Sequence, residues 1–251
     1  MSVRSLRRPL TFTQPVLDFL VPRLCQRSLG AQYARITTSS APPITEPQPE
    51  SLNSSNPTKK KRPLSNEQRE FLDRALRVNQ AGELAATLIY TAQTPPIVKS
   101  HPHLRPLMQH MYDQEAGHFS AFNALLAKHR VRPTAMYPVW KIAATALGWT
   151  TAIMGREAAM ACTEAVETEI GTHYNGQVRV LLEWMKEVED KGEEVEEVRE
   201  FVGTLKRIRD EELEHLDHAV EHDAKLANGY PLLTNVIRSG CKGAIWISER
   251  V

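Results

Sequence analysis

Asp113-Gln-Glu-Ala-Gly-His118 and Asp210-Glu-Glu-Leu-Glu-His215 repeat one short motif in the two halves of the chain. In each copy a Glu stands three residues before a His, and on a helix both side chains then share one face, a turn apart. One Glu-x-x-His is a chance combination of common residues. Two copies, in a chain with helical periodicity almost throughout, are typical of four-helix bundles that bind two metal ions between their helices.

Such a bundle needs one more Glu from each of its two remaining helices. Glu83 and Glu167 lie upstream of the two motifs, and their small or apolar neighbours favour an inward direction. Four carboxylates and two imidazoles suit divalent iron or manganese, because carboxylates offset the positive charge and imidazoles add affinity. By analogy with that arrangement, Glu115 and Glu212 would bridge the ions, and Glu83 and Glu167 would be terminal ligands. The predicted two-metal site consists of Glu83, Glu115, His118, Glu167, Glu212 and His215.

The choice of Glu212 and His215 competes with other pairs on the same helix. His215 with His218, or Glu214 with His218, also has helical spacing. The register shared with the first motif favours Glu212 and His215. For each carboxylate the alternative is an ordinary surface Glu, because carboxylates buried together without metal repel one another and their pKa values rise. Four further histidines are interpreted as ordinary surface or loop residues: His101, His103, His110 and His129.

His173 and Tyr174 lie about two helical turns after Glu167. Two interpretations remain open for them. In the first, both side chains line the metal cavity and relay protons or electrons. In the second, Tyr174 is a packed aromatic residue and His173 is a half-buried histidine beside it.

The N-terminal region differs in composition from the rest. Between Met1 and Thr45 the one acidic residue is Asp18, while Arg, Ser and Thr are frequent. This profile predicts a mitochondrial transit peptide over residues 1–38, with a disordered basic tail as the alternative. Residues 39–63, rich in Pro, Ser and Asn, are predicted to be a disordered linker, and residues 64–251 to be the folded domain.

Charge and cysteine content argue against three classes of protein. The 251 residues carry a net charge of +1, which gives no electrostatic reason to expect nucleic-acid binding. Three cysteines without Cys-x-x-Cys spacing exclude a disulfide framework and a zinc–thiolate site.

Apolar periodicity predicts an all-α domain without strands. A capping box begins the first helix at Ser65, and Thr94-Pro-Pro96 is expected to stop it. Val139–Met154 is apolar on nearly every side, so it is either a buried core helix or a helix lying in a bilayer interface. The predicted helices span about Ser65–Thr91, His103–His129, Val139–Met154, Arg156–Val188 and Glu194–Ala227, followed by an amphipathic stretch from Leu232 to Ile245.

The segment 183–200 is dense in Glu with few bases to balance it. We interpret it as a solvated hairpin of helix ends broken near Gly192, and the alternative is an acidic docking site.

Four segments carry a family resemblance: Leu76–Glu83, Asp113–His118, Ala161–Glu167 with His173–Asn175, and Arg209–His215. They resemble the demethoxyubiquinone hydroxylase family of coenzyme Q biosynthesis, and the resemblance covers the chain from about Leu64 to the C-terminus. The resemblance implies a ferritin-like four-helix bundle with additional apolar and amphipathic membrane-associated helices. It implies an O₂-dependent di-iron mono-oxygenase, with two Fe²⁺ ions, that hydroxylates the ring of demethoxyubiquinol in the penultimate step of ubiquinone biosynthesis. It also favours the cavity-lining role of His173 and Tyr174.

The resemblance further implies a place for the protein in the cell. It would attach peripherally to the matrix side of the mitochondrial inner membrane, within a larger biosynthetic complex. A lipid-binding partner protein would present the polyprenyl demethoxyquinol. No Gly-x-Gly-x-x-Gly is present, so electrons are expected from outside, from a nicotinamide such as NADH or from the quinol. The alternatives are a di-iron oxidase of another substrate, a ferritin-like metal-binding protein and a helical docking subunit of the complex.

Overall fold

The computed structural model describes residues 60–251, and this part of the chain is almost entirely helical, as predicted. The predicted transit peptide (1–38) and the linker as far as residue 59 lie outside the described residues. Two-residue strands β1 (Lys60–Lys61) and β2 (Glu193–Glu194) pair in parallel. The helices are α1 (Asn66–Ser100), α2 (Arg105–His129), α3 (Tyr137–Met154), α4 (Arg156–Glu189), α5 (Glu196–Glu221) and α6 (Tyr230–Ser248), with short 3-10 turns at Pro102–Leu104 and Ala224–Leu226.

Helix α1 begins where the sequence predicts and ends later. The Ser65 hydroxyl accepts from the Gln68 amide at 3.1 Å and the Gln68 side chain accepts from the Ser65 amide at 2.9 Å, so the capping box is confirmed. The prediction that Thr94-Pro-Pro96 stops the helix was wrong, because α1 continues to Ser100. Proline inside a helix costs roughly 3 kcal/mol. Burial of Ile97 and Val98 against α2 and α4 offsets this cost.

The four long helices α1, α2, α4 and α5 share one pattern along their length. Helices α1 and α5 run in one direction, and α2 and α4 run in the other. Each helix passes from one apolar cluster, through a polar middle, into a second apolar cluster. Representative members of the two clusters are Leu76, Phe122, Leu181 and Leu205 at one end, and Ile97, Met108, Met160 and Ala219 at the other. The polar middle is therefore closed to water at both ends.

Helix α3 packs on the outside of α1 through one small-residue face. A Cβ added at Gly148 would lie 2.6 Å from the Ile89 carbonyl oxygen, so the two backbones approach closely there. The rest of α3 faces outward, with Ile142 and Trp149 exposed. The core-helix interpretation of this segment was therefore wrong. Within residues 60–251 the structure contains no helix whose length and apolar character would allow it to cross a bilayer.

The acidic segment forms a turn between α4 and α5, as predicted. Gly192 adopts the left-handed conformation (φ 70°) that permits the reversal. The sequence predicted no strand, but Lys60–Lys61, at the end of the predicted linker, pairs with Glu193–Glu194. The Arg62 amide also donates to the Glu194 carbonyl at 2.9 Å. Strands are predicted from alternating apolar and polar residues, and these two-residue charged strands have no such alternation, so the sequence carried no signal for them.

Helix α5 ends before the residue that the sequence predicts. It stops at Glu221 instead of about Ala227, because Asp223 takes a left-handed conformation (φ 69°). The Asp223 carboxylate accepts from the Arg156 guanidinium at 2.5 Å. This cross-helix contact replaces the last turn that the sequence predicts.

Candidate metal centre

The structure brings all six predicted ligand residues together at the polar middle of the bundle. Helix α1 supplies one Glu, α4 a second, and α2 and α5 each supply a Glu and a His one turn apart. All six side chains are buried, with at most 1% of each residue exposed: Glu83, Glu115, His118, Glu167, Glu212 and His215. We call this group the buried cage.

Both imidazoles point the same nitrogen into the buried cage. The His118 Nδ1 lies 3.4 Å from Glu83 Oε2 and 3.0 Å from Glu212 Oε1. The His215 Nδ1 lies 3.0 Å from Glu115 Oε1 and 3.2 Å from Glu212 Oε2. Each ring therefore offers Nδ1 to the centre of the cage and turns Nε2 outward.

The six residues form two overlapping sets whose potential ligand atoms all lie within 4.8 Å of one another. Glu115 and Glu212 belong to both sets. Carboxylates shared by both sets would lie between two cations, the role that the sequence analysis proposes for Glu115 and Glu212. The first set is Glu83, Glu115, His118 and Glu212, and the second is Glu115, Glu167, Glu212 and His215.

The hydrogen-bonding of the buried cage provides a test of whether cations fit there. In residues 60–251, twelve buried side-chain nitrogen or oxygen atoms have no hydrogen-bond partner, and eight of them belong to these six residues. Unpartnered buried polar atoms cost free energy, and native proteins avoid them. A cation coordinated by these atoms satisfies them. The donor set of four carboxylates and two imidazoles fits iron or manganese.

The outward nitrogens of the imidazoles have partners that the sequence analysis missed. The His118 Nε2 lies 2.5 Å from Glu211 Oε2, and the His215 Nε2 lies 2.8 Å from Gln114 Oε1. Because both partners are acceptors, each Nε2 carries the proton and each Nδ1 presents its lone pair to the cage. Gln114 and Glu211 occupy the same position of the two motifs, directly before the motif Glu. This repetition was the available signal.

Two tyrosines contact the glutamates of α1 and α4. The Tyr174 hydroxyl donates to Glu83, as the sequence analysis allowed. The Tyr90 hydroxyl, which that analysis missed, lies 3.3 Å from Glu167 Oε1 and donates to it. Both tyrosines follow the Glu of their own helix by seven residues, so the common spacing was a signal for Tyr90.

His173 does not reach the buried cage. Its Nε2 lies 2.7 Å from the Gln177 side-chain nitrogen, and Gln177 in turn exchanges hydrogen bonds with Asn79 at 2.8 and 3.0 Å. Burial lowers the pKa of His173. Of the two relay candidates, Tyr174 contacts a cage carboxylate, whereas the hydrogen-bond partner of His173 is Gln177, which is not a cage residue.

The electrostatics of the buried cage favour protons where cations are absent. Burial, and after it the charge of Glu212, raises the pKa of the other three cage carboxyls. Burial acts on Glu212 too, but its contacts with His118 and His215 hold the pKa of Glu212 below its usual range. Burial lowers the pKa of His118, whereas Glu212 and Glu83 raise it, to about 12. Cations that bind here must displace protons.

An apolar cavity of about 360 Å³ lies between α1, α3, α4 and α6. Gly82 and Val166 are among its lining residues, and they directly precede Glu83 and Glu167 in the chain. Two of its lining residues are hydrogen-bonded: the Trp140 indole donates to the Ser248 hydroxyl at 2.9 Å and links the beginning of α3 to the end of α6. The cavity therefore adjoins the helix segments that carry two of the cage carboxylates.

Comparison with known proteins identifies similar chains. The family described as ubiquinone biosynthesis protein COQ7 matches residues 70–248. A Saccharomyces cerevisiae protein named 5-demethoxyubiquinone hydroxylase, mitochondrial, is 47% identical over 190 residues, or 75% of this chain and 82% of the yeast protein. A human protein named NADPH-dependent 3-demethoxyubiquinone 3-hydroxylase, mitochondrial, is 44% identical over 188 residues, which cover 75% of this chain and 82% of the human protein.

A bacterial relative extends the similarity. The 3-demethoxyubiquinol 3-hydroxylase of Rhodospirillum rubrum is 39% identical over 181 residues, which cover 72% of this chain and 79% of the bacterial protein. The region that matches the COQ7 family, residues 70–248, begins within α1 and includes all six cage residues.

Proposed function

The chain belongs to the family of the ubiquinone biosynthesis protein COQ7, and we propose that it hydroxylates the ring of demethoxyubiquinol with O₂ in ubiquinone biosynthesis. The observation that carries this function is the buried cage, in which eight polar atoms have no hydrogen-bond partner and the six residues form two overlapping ligand sets. Relatives named as demethoxyubiquinone or demethoxyubiquinol hydroxylases support the substrate class.

Two iron ions are the proposed cofactors. Glu83 and His118 would hold one ion, Glu167 and His215 the other, and Glu115 and Glu212 would bridge them, as their membership of both ligand sets supports. Bound iron would supply the activation of O₂ and the transfer of one oxygen atom to the ring. The protein residues hold the ligand atoms in place and exclude water, since apolar clusters close the bundle on both sides of the cage.

We assign the polyprenyl tail of the substrate to the apolar cavity. Its lining is almost wholly apolar, with small residues such as Ala81 and Gly240 that leave room for a branched hydrocarbon chain. The adjoining Gly82 and Val166 lead toward the helix segments of Glu83 and Glu167. A tail in this cavity would hold the quinol ring near the buried cage.

Helices α3 and α6 are proposed as the membrane-facing side of the protein. The residues Ile142, Ile153, Leu232 and Val236 are each more than half exposed on these two helices, which also form the cavity wall. Exposed apolar side chains on neighbouring helices are typical of attachment to a membrane or to a partner. The exposed apolar face supports peripheral attachment to a membrane, and the proposed location is the matrix side of the mitochondrial inner membrane. A lipid-binding partner protein in the biosynthetic complex would deliver the polyprenyl substrate at the same face.

The remaining proposals concern electrons, protons and localisation. The human relative is named for NADPH, which supports a nicotinamide as the electron source, as the sequence analysis proposed with NADH. Tyr174, which donates to Glu83, is the proposed proton or electron relay, and His173 would act through it. The yeast and human relatives are named as mitochondrial, which supports the same compartment for this chain.

A product assay tests this function. The full chain, loaded with iron, is given a short-tailed demethoxyquinol, O₂ and a reductant, and we expect the hydroxylated quinol and about two irons per chain. Glu212→Ala should abolish turnover while circular dichroism shows the helices intact, because Glu212 serves both cation positions. Glu200→Ala, on the exposed face of the same helix, is the matched control and should retain turnover. Undiminished product from Glu212→Ala would contradict the proposed site.

A further inference from the structure

A third group of possible metal ligands lies outside the buried cage, on the outer surface where α2 meets α5. The His110 Nε2 lies 3.8 Å from Glu214 Oε1, and the His218 Nε2 lies 3.6 Å from the same oxygen. One ligand atom from each of the three residues lies within 4.8 Å of the other two. Side-chain exposure is 50% for His110, 49% for Glu214 and 27% for His218, so the group is open to solvent.

The residues around this group orient it for metal binding. The His218 Nδ1 lies 3.5 Å from Glu221 Oε2, so that a proton held between these two atoms leaves the Nε2 lone pair facing Glu214. The other Glu214 oxygen, Oε2, accepts from the Gln114 side chain at 3.5 Å. Glu214 Oε1 therefore remains free for a cation between the two imidazoles. The two imidazole rings stand edge to face, with centroids 6.4 Å apart.

The donor set decides which ion this surface group would take. Two imidazole nitrogens and one carboxylate oxygen suit a borderline divalent transition metal, with solvent water in the remaining position. Magnesium and calcium prefer sites made only of oxygen. We propose that His110, Glu214 and His218 form a solvent-accessible site for Zn²⁺, separate from the buried cage.

One side chain joins the zinc site to the buried cage. Gln114 accepts from the His215 Nε2 through Oε1, at 2.8 Å, and donates to Glu214 through its amide nitrogen. The two sites are therefore neighbours that share no ligand. A zinc ion on the surface leaves the six cage residues available for iron.

Zinc titration of the full, iron-loaded chain tests the proposal. We expect one Zn²⁺ per chain by isothermal titration calorimetry, with the iron content unchanged. His110→Ala and His218→Ala should each weaken zinc binding by roughly tenfold or more, because each removes one of three protein ligands. His129→Ala, a histidine at the other end of α2, is the matched control and should bind zinc like the unaltered chain. Added Co²⁺ should give visible absorption bands that both ligand variants lose.

Several results would overturn the zinc site. They are the absence of zinc uptake, zinc uptake that neither ligand variant weakens, and zinc uptake that releases iron from the cage in equal amount. The Glu212→Ala variant separates this proposal from the proposed function. It should bind surface zinc even though it lacks a complete iron cage. Zinc binding and hydroxylase turnover can therefore be measured independently, and failure of one proposal does not hide the outcome of the other.

Discussion

The polar side chains around the cage come in pairs that cross between the two halves of the chain. Tyr174 on α4 donates to Glu83 on α1, and Tyr90 on α1 donates to Glu167 on α4. The crossing follows from the antiparallel course of α1 and α4, which brings each tyrosine, seven residues after its own Glu, beside the other Glu. Residues of each half therefore orient the candidate ligands of the other half.

Glu211 provides a test of this orientation at the level of one residue. Glu211→Leu removes the acceptor for the His118 Nε2 proton, so the ring is free to rotate and to present a protonated nitrogen to the cage. We expect iron affinity, measured by competition with a chelator, to fall by about 10- to 100-fold. Glu211→Gln keeps an acceptor oxygen, so its iron affinity should fall by a smaller factor.

The control for this variant is Glu200→Gln on the same helix, whose carboxylate pairs with Lys128 at the surface. It should leave iron affinity unchanged. Equal iron affinity in Glu211→Leu and the unaltered chain would show that Glu211 does not position His118.

At the scale of elements, α3 depends on a close approach to α1 at Gly148. A Cβ added at Gly148 would lie 2.6 Å from the carbonyl oxygen of Ile89 and 2.8 Å from its Cα, both closer than van der Waals contact. Backbone atoms cannot move aside as a flexible side chain can. A methyl group at this position must push α3 away from α1, and with it one wall of the apolar cavity.

Gly148→Ala should therefore lower the free energy of unfolding by about 1–3 kcal/mol, despite the better helix propensity of alanine. Denaturant unfolding followed by circular dichroism measures the change. The control is Gly176→Ala in α4, where no atom lies within 4 Å of the added Cβ. That variant should be as stable as the unaltered chain or more stable by about 0.5–1 kcal/mol. A stable Gly148→Ala protein would contradict the close helix contact.

The outward faces of α3 and α6 give a second prediction for these elements. Ile142 and Leu232 are 74% and 72% exposed, so Ile142→Glu and Leu232→Glu should disturb little packing. Each should weaken binding to phosphatidylcholine vesicles that contain cardiolipin by roughly tenfold or more, because an apolar side chain leaves the bilayer interface. Vesicle co-sedimentation measures the binding. Leu182→Glu, at an exposed position of α4, is the control and should bind normally; equal binding by all three would contradict the proposed face.

At the scale of the whole molecule, the buried cage ties stability to pH. Three cage carboxyls have raised pKa values, and the pKa of His118 is raised to about 12. Between the unfolded and folded pKa values of these groups, the folded metal-free protein holds more protons than the unfolded chain. Stability therefore falls as pH rises from about 4.5 upward for the carboxyls and from about 6.5 upward for His118. The lowered pKa of Glu212 acts in the opposite direction only at pH below about 4.5.

We therefore expect the metal-free protein to melt at a lower temperature at about pH 8 than at about pH 6. Iron binding displaces the protons, so the iron-loaded protein should gain most from its metal at the higher pH. Melting curves by circular dichroism, with and without iron, measure both effects. A metal-free protein whose melting temperature rises over this range would contradict the cage electrostatics.

The cage residues were accessible from sequence because their signal is local. A Glu and a His one turn apart share a face in any helix, and two such pairs with two lone glutamates identified all six side chains. Repeated spacing marks Tyr90, Gln114 and Glu211 as candidates, but their hydrogen-bond partners depend on which helices run antiparallel, which local spacing does not reveal. The extension of α1 past Pro95 has a similar cause, because burial of Ile97 depends on tertiary packing.

The turn at Gly192 divides the cage unequally, since Glu212 and His215 follow it and the other four residues precede it. Lys191 in this turn is exposed, so a protease that cleaves after it would leave two fragments. Neither fragment would contain all the ligands of either cation. Because Glu212 belongs to both sets, bound metal would clamp the fragments together. We expect the nicked protein to elute as one species in gel filtration while iron is present and to come apart when a chelator removes it.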